Sequence, residues 1–154
     1  MKRSRLPNNT AKNASSLHKK VGELLTSPIL AGYTPRQELR VSTVNPEFGS
    51  NREKFDWALL DINVVIECMG RQHEVPTDFG KGGKEEAKRN LKEIQARDET
   101  KRQAALDAGW GYVVVYWYEI EEMTPEILLK RILRSMSVPP ERKKFGLKQQ
   151  GETQ

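Results

Sequence analysis

Two helices are predicted near the ends of the chain from apolar residues that recur every three or four positions. The first covers about residues 17–27 and ends at Pro28, because proline cannot continue a helix. The second begins at Thr124-Pro125, since proline is favoured in a first helical turn. Their apolar faces consist of Leu17, Val21, Leu24 and Leu25 in the first helix, and of Ile127, Leu128, Ile132 and Leu133 in the second.

Between these helices the pattern changes to short runs of β-branched, aromatic and alternating apolar residues, which predict strands. The predicted strands cover about residues 33–44, 54–60, 64–69 and 112–117. The three residues between the second and third strands fit a tight hairpin turn. Asp61, the first of them, is therefore interpreted as a turn residue and not as a ligand.

A long helix is predicted over about residues 84–108, with Gly109 after its end. Asp98 occupies a position in this helix where the spacing demands an apolar residue. Its carboxylate should therefore act as a cap, pair with an internal arginine or orient a histidine. The order of elements predicts an α/β fold in which helices flank a sheet. The long connection between the 64–69 and 112–117 strands also predicts that these two strands are parallel if they are neighbours.

Length and composition predict one folded domain with polar extensions. The 154 residues suffice for one hydrophobic core, yet only 36% are hydrophobic and 31% are charged. Residues 1–16 contain four basic and no acidic residues, which predicts a flexible basic arm. The folded domain is expected over 17–138, followed by a second basic tail over 139–154.

Charge and cysteine content narrow the expected partners and compartment. A net charge of +5 and a pI of about 9.3 favour a polyanionic partner such as nucleic acid. Cys68 is the single cysteine and lies in an apolar run, so a buried thiol in a reducing, intracellular compartment is expected. No run is long enough for a membrane span, and no apolar segment follows the basic N-terminus as in a secretory signal.

Two carboxylates on neighbouring predicted strands are the first candidates for chemistry. Asp56 and Glu67 both lie away from the hairpin turn, so the hairpin brings them to the same end of the sheet. Convergent carboxylates of this kind could hold Mg²⁺ or Mn²⁺. The alternative is that both lie at the sheet edge and pair with Lys54 or Arg71.

A histidine follows the second of these strands. His73 comes six residues after Glu67, where it could act as a general base for water or stabilise a phosphate. The alternative is a structural histidine with no part in chemistry. A zinc site is disfavoured, because the chain contains only two histidines, His18 and His73, and one cysteine.

The ordered set of these residues resembles a nuclease family, the very-short-patch-repair-like branch of the PD-(D/E)XK superfamily, whose site is summarised as EDxHD. This branch includes mismatch-nicking repair endonucleases and phage homing endonucleases. The resemblance covers roughly residues 17–135 and implies a restriction-endonuclease-like mixed β-sheet flanked by helices. It rests on Phe55-Asp56-Trp57, on the run from Val65 to His73, on Arg97-Asp98-Glu99-Thr100-Lys101-Arg102, on Ala105, on Gly109-Trp110 and on Val113-Val114-Val115.

The resemblance assigns roles to individual residues. Asp56 would be the central metal ligand, and Glu67 would occupy the variable ligand position. His73 would be the catalytic histidine, and Asp98 would support it. Glu23 would be the leading glutamate of the site.

Two points qualify this assignment. Glu38 is a second candidate for the leading glutamate. Met69 stands two residues after Glu67, where most of the superfamily has a lysine, and methionine can neither position water nor stabilise charge. The departure favours the histidine-dependent branch.

The expected function is therefore a Mg²⁺- or Mn²⁺-dependent DNA endonuclease, of the homing or nicking kind. Expected contacts with the DNA backbone are Arg71, Lys81, Lys84, Arg97, Lys101 and Arg102. The resemblance implies that a phage could encode the protein. The sequence is compatible with both a monomer and a homo-oligomer. Two rivals remain: a non-catalytic DNA-binding module on a nuclease-like fold, and a structural protein of an assembly.

Overall fold

A computed structural model describes residues 16–49, 51–76 and 83–137, and within them it shows a four-stranded mixed sheet flanked by helices. The strands lie in the order of the chain, with the first two pairs antiparallel and the last pair parallel. They are β1 (Pro35–Arg40), β2 (Lys54–Leu59), β3 (Val64–Met69) and β4 (Gly111–Tyr116). The α/β class, the hairpin and the parallel pairing are confirmed.

The helices are α1 (Ser16–Leu25), α2 (Val41–Val44), α3 (Gly83–Asp107) and α4 (Pro125–Met136). Short 3₁₀ turns cover Pro28–Leu30 and Arg71–His73. Thr124 caps α4, since its hydroxyl accepts a hydrogen bond from the backbone N–H of Ile127.

The predicted strand over 33–44 was wrong in its second half, where the chain turns into the helical turn α2. Val41 and Val44 are both buried there, and the backbone N–H of Val41 donates to the carbonyl of Glu53. Packing against α3 therefore overrides the β preference of the two valines.

The sheet has an apolar core on each face. α1 and α4 cover one face, and the other lies against α2 and α3. The first core includes Leu17, Val21, Trp57, Leu59, Ile66, Val113, Val115, Leu128 and Ile132; the second includes Leu39, Val41, Val44, Phe55, Ala58, Val65, Ala104 and Ala105. Both faces of β3 are consequently buried, which explains its nearly unbroken apolar sequence.

β2 departs from regular alternation at Asp56. Phe55 and Trp57 would share a face of an ideal strand, but they lie in the cores on opposite faces. The alternation that a regular strand would give is therefore broken at this point. The ladder with β3 runs from Leu59 to Trp57 and ends before Asp56. Across from this point on β1, Glu38 has a φ of 54°, so both strands are irregular at the level of Asp56.

Parts of the expected organisation lie outside the described residues. These are residues 1–15 of the predicted arm, the whole tail over 139–154 and Lys81. Among the helices that the structure describes, none combines the length and the apolar composition needed to cross a bilayer.

Candidate active site

The carboxylates of Asp56 and Glu67 lie where β2 and β3 separate, and they bridge the two strands. Asp56 Oδ2 accepts a hydrogen bond from the backbone N–H of Cys68 at 2.7 Å. Glu67 Oε1 in turn accepts from the backbone N–H of Asp56 at 2.9 Å. Side-chain oxygens thus replace the carbonyls of a regular ladder, which satisfies two N–H groups and brings both carboxylates to one place.

Glu67 is buried and forms an ion pair with a lysine from α3. Its side chain is 2% exposed, and its Oε2 lies 2.6 Å from Nζ of Lys101. Burial, followed by the nearby charge of Asp56, raises the pKa of Glu67 to about 7, while Lys101 acts in the opposite direction. The alternative pairing with Lys54 or Arg71 is not what the structure shows for this carboxylate.

Lys101 has a different position from the one that we expected. Its side chain is 10% exposed, and its Nζ also lies 5.6 Å from the centre of the Phe55 ring. It therefore faces Glu67 inside the domain, whereas we expected it to contact DNA. The ammonium group beside Glu67 thus comes from α3, 34 residues further along the chain.

His73 and Asp98 form a close pair beside these groups. His73 Nδ1 lies 2.7 Å from Asp98 Oδ2, and both side chains are partly buried. The hydrogen bond with Asp98 raises the pKa of His73, and the charges of Asp56 and Glu67 add to the rise. Of the roles open to Asp98, the structure therefore shows the orientation of a histidine. Because Nδ1 faces a carboxylate, Nδ1 carries the proton of the neutral imidazole. Nε2 is then the ring atom that can accept a proton.

His18 is the residue of this region that our sequence interpretation missed. Its Nδ1 lies 3.6 Å from Asp56 Oδ1, and its ring packs against the indole of Trp57 at 4.9 Å between centroids. The indole N–H of Trp57 donates to the backbone carbonyl of His18. A signal was present in the sequence, because His18 precedes Val21 by three residues and Leu25 by seven and so falls on the apolar stripe of α1.

The two candidates for a leading glutamate lie elsewhere. Glu23 is exposed and lines a hollow together with Lys20 and Ile120, on the side of α1 towards α4. Glu38 is an exposed residue of β1. The residue of α1 that faces Asp56 is therefore His18.

A cleft of about 350 Å³ opens next to the His73–Asp98 pair. Arg102 lines this cleft with Tyr112 and Tyr116, and its guanidinium lies 3.2 Å from Glu99. The other expected DNA contacts that the structure describes are at the surface. Arg71 and Lys84 are exposed, and Arg97 is exposed with a 3.7 Å contact to Glu53.

Asp56 is the residue of this region that could hold a hard divalent cation, with water and phosphate as the other ligands. Asp56 is the accessible carboxylate, with a side chain 32% exposed, whereas Glu67 is almost fully enclosed. Within the described ranges, no group of three or more His, Cys, Asp or Glu residues is arranged to hold a metal. Mg²⁺ commonly binds through one or two carboxylates, completed by water and substrate phosphate, and Asp56 suits that mode.

Comparisons with protein-family models, with curated proteins and with solved structures found no match for this chain.

Proposed function

We propose that this chain is a metal-dependent DNA endonuclease of the histidine-dependent, very-short-patch-repair-like branch of the PD-(D/E)XK superfamily, with a restriction-endonuclease-like fold. One observation carries the proposal: Asp98 and Lys101, three residues apart on α3, contact His73 just after β3 and Glu67 within β3, so that the oriented histidine and the carboxylates belong to one end of the sheet. A buried ion pair and an oriented histidine at one end of a sheet suit hydrolysis of a phosphodiester.

Each residue has a distinct task in this proposal. Mg²⁺ or Mn²⁺, when bound, would polarise the scissile phosphate and acidify a water molecule. Asp56 would hold the cation, because its carboxylate is the accessible one. His73 would accept the proton of the attacking water at Nε2, since Nδ1 faces Asp98.

Lys101 has the task of keeping Glu67 ionised. A carboxylate in so enclosed a position tends to take up a proton, and its pKa of about 7 reflects that tendency. The ammonium group 2.6 Å away opposes protonation. Above about pH 7, Glu67 then carries the negative charge that orders the backbone of Asp56 and supports a cation beside it.

The DNA would lie along the surface that holds the cleft and the first turns of α3. Arg102 lines the cleft, and Lys84 and Arg97 are exposed on the same helix. Arg71 is exposed directly after β3 and next to His73. Basic side chains placed in this way would contact phosphates and add salt-dependent affinity for DNA without recognising its base sequence.

Cleavage of supercoiled plasmid tests the proposal. We expect nicking with Mg²⁺ or Mn²⁺ and none with EDTA. Asp56→Asn should lower the rate at least about 100-fold, because it removes the charge that holds the cation. The amide oxygen can still accept from the N–H of Cys68, so folding should survive. Asp107→Asn, at an exposed carboxylate of α3, is the matched control. Full cleavage by Asp56→Asn would refute the assignment.

A non-catalytic DNA-binding module is the second candidate function. It is favoured by the number of carboxylate oxygens that already have a partner, since Asp56 Oδ2 and both oxygens of Glu67 are engaged. Salt-sensitive DNA binding by the wild-type chain, without nicking of plasmid, mismatched duplex or branched DNA in Mg²⁺ or Mn²⁺, would support it. The same three substrates distinguish homing, mismatch-nicking and branch-cleaving enzymes if nicking occurs.

A further inference from the structure

We infer that His18 is a ligand of the cation at Asp56, so that the centre prefers Mn²⁺ and Co²⁺ to Mg²⁺. The inference rests on the proposed function, since it concerns the cation of that same centre. It begins from a residue that the sequence interpretation did not include. His18 belongs to α1, whereas Asp56 belongs to β2, so the proposed ligands come from two different elements.

The distance between the imidazole and the carboxylate suits a shared cation. His18 Nδ1 lies 3.6 Å from Asp56 Oδ1, longer than the roughly 2.7–3.2 Å of an N–H···O hydrogen bond. Two donors that bind one cation at about 2.1 Å each and at right angles stand about 3.0 Å apart. A small closing movement of the two side chains would therefore place both atoms on one ion.

The position of His18 is held by contacts that leave Nδ1 directed at Asp56. The indole of Trp57 packs against the imidazole, and its N–H donates to the backbone carbonyl of His18 at 3.1 Å. Trp57 is fully buried and follows Asp56 directly in β2. One rigid side chain thus fixes the histidine relative to the carboxylate next to it.

The chemistry of the donors determines which cation is preferred. Mg²⁺ favours oxygen ligands, whereas imidazole nitrogen favours first-row transition metals. A pair of one nitrogen and one carboxylate oxygen therefore discriminates against Mg²⁺. The remaining positions on the cation would be filled by water and phosphate.

Calorimetric titration of the full chain, free of any affinity tag, with MnCl₂, CoCl₂ and MgCl₂ tests the inference. We expect Mn²⁺ and Co²⁺ to bind at least about 10-fold more tightly than Mg²⁺. His18→Asn should remove this difference through a loss of Mn²⁺ and Co²⁺ affinity, while His73→Asn should retain it. These two positions are the only histidines of the chain, so the pair of variants separates the two imidazoles.

A measurement on the wild-type chain avoids dependence on the folding of His18→Asn. Nitrogen-15 NMR with added Zn²⁺ should shift the resonance of His18 Nδ1, because coordination changes the electronic state of that atom. A cation preference that persists in His18→Asn, an unshifted Nδ1 or the binding of no cation would each overturn the inference. Preferential binding through His18 without any DNA cleavage would refute the proposed function and leave the ligand assignment standing.

Discussion

The contact of His73 with Asp98 converts an ordinary histidine into one with a defined proton and a raised pKa. A carboxylate at 2.7 Å stabilises the imidazolium and also fixes the neutral tautomer. A general base works only in its neutral form. The proposed activity should therefore increase as the pH rises through the pKa of His73, above the ordinary value of 6.5.

Asp98→Asn should move this pH dependence to lower pH. The amide removes the negative charge that raises the pKa of His73, so the acidic limb of the nicking rate should shift towards 6.5. The maximal rate should fall at least about 10-fold, because the tautomer is less well fixed. An NMR titration of the His73 ring gives the pKa directly, with Asp107→Asn as the control. An unchanged titration midpoint would contradict the role of Asp98.

α3 is the element that assembles the site, because one face of it delivers two chemical groups. Asp98 and Lys101 are three residues apart and so share a face of the helix. Asp98 contacts His73 just after β3, and Lys101 contacts Glu67 within β3. The inner face of α3 therefore carries two polar groups among its apolar residues, and each of them has a partner at or just after β3.

Lys101→Met should destabilise the fold by about 3 kcal/mol, because it leaves the enclosed carboxylate of Glu67 without its cation. Adding Glu67→Gln in the same chain should recover most of that loss, while the double variant stays inactive in the nicking assay. Urea denaturation measures the free energies of unfolding. Lys92→Met, an exposed lysine of the same helix, serves as the control. Equal stability of Lys101→Met and the wild type would contradict a structural role for this ion pair.

At the scale of the whole molecule, the site makes the stability of the fold depend on pH. The pKa of Glu67 is 4.5 in an ordinary environment and about 7 in the folded chain, so folding takes up a proton between these values. His73 acts in the same direction, because its pKa is also raised in the folded chain. Both contributions are present at low pH and are lost as the pH rises through the folded-state values.

The free energy of unfolding should therefore fall as the pH rises from about 4.5 through about 7. In Glu67→Gln, the fall between about pH 4.5 and 7 should become shallower, because the titrating group is gone. Urea denaturation across this range, in the absence of divalent cations, gives the two curves. A Glu67→Gln curve parallel to that of the wild type would show that Glu67 does not titrate in this window.

Periodicity in the sequence was sufficient to predict most of the elements. The hairpin of β2 and β3, the parallel neighbour β4 and the long helix α3 all follow from local spacing and from the length of the connection. The same spacing indicated that Asp98 is not a solvated charge. The hairpin and α3 depend on residues within one turn or one strand of each other, which a linear pattern records.

Tertiary structure decided the contacts that the sequence did not predict. Lys101 reaches Glu67 across 34 residues, and His18 reaches Asp56 from another helix. The irregularity of β2 at Asp56 places Phe55 and Trp57 on opposite faces, against the alternation of a regular strand. Each of these depends on burial and on contacts between distant segments, and periodicity carries no information about either. The sequence by itself determined the class of the fold, the hairpin of β2 and β3 and the helices α1, α3 and α4, whereas the packing of α1 and α3 against the sheet decided the rest of the candidate site.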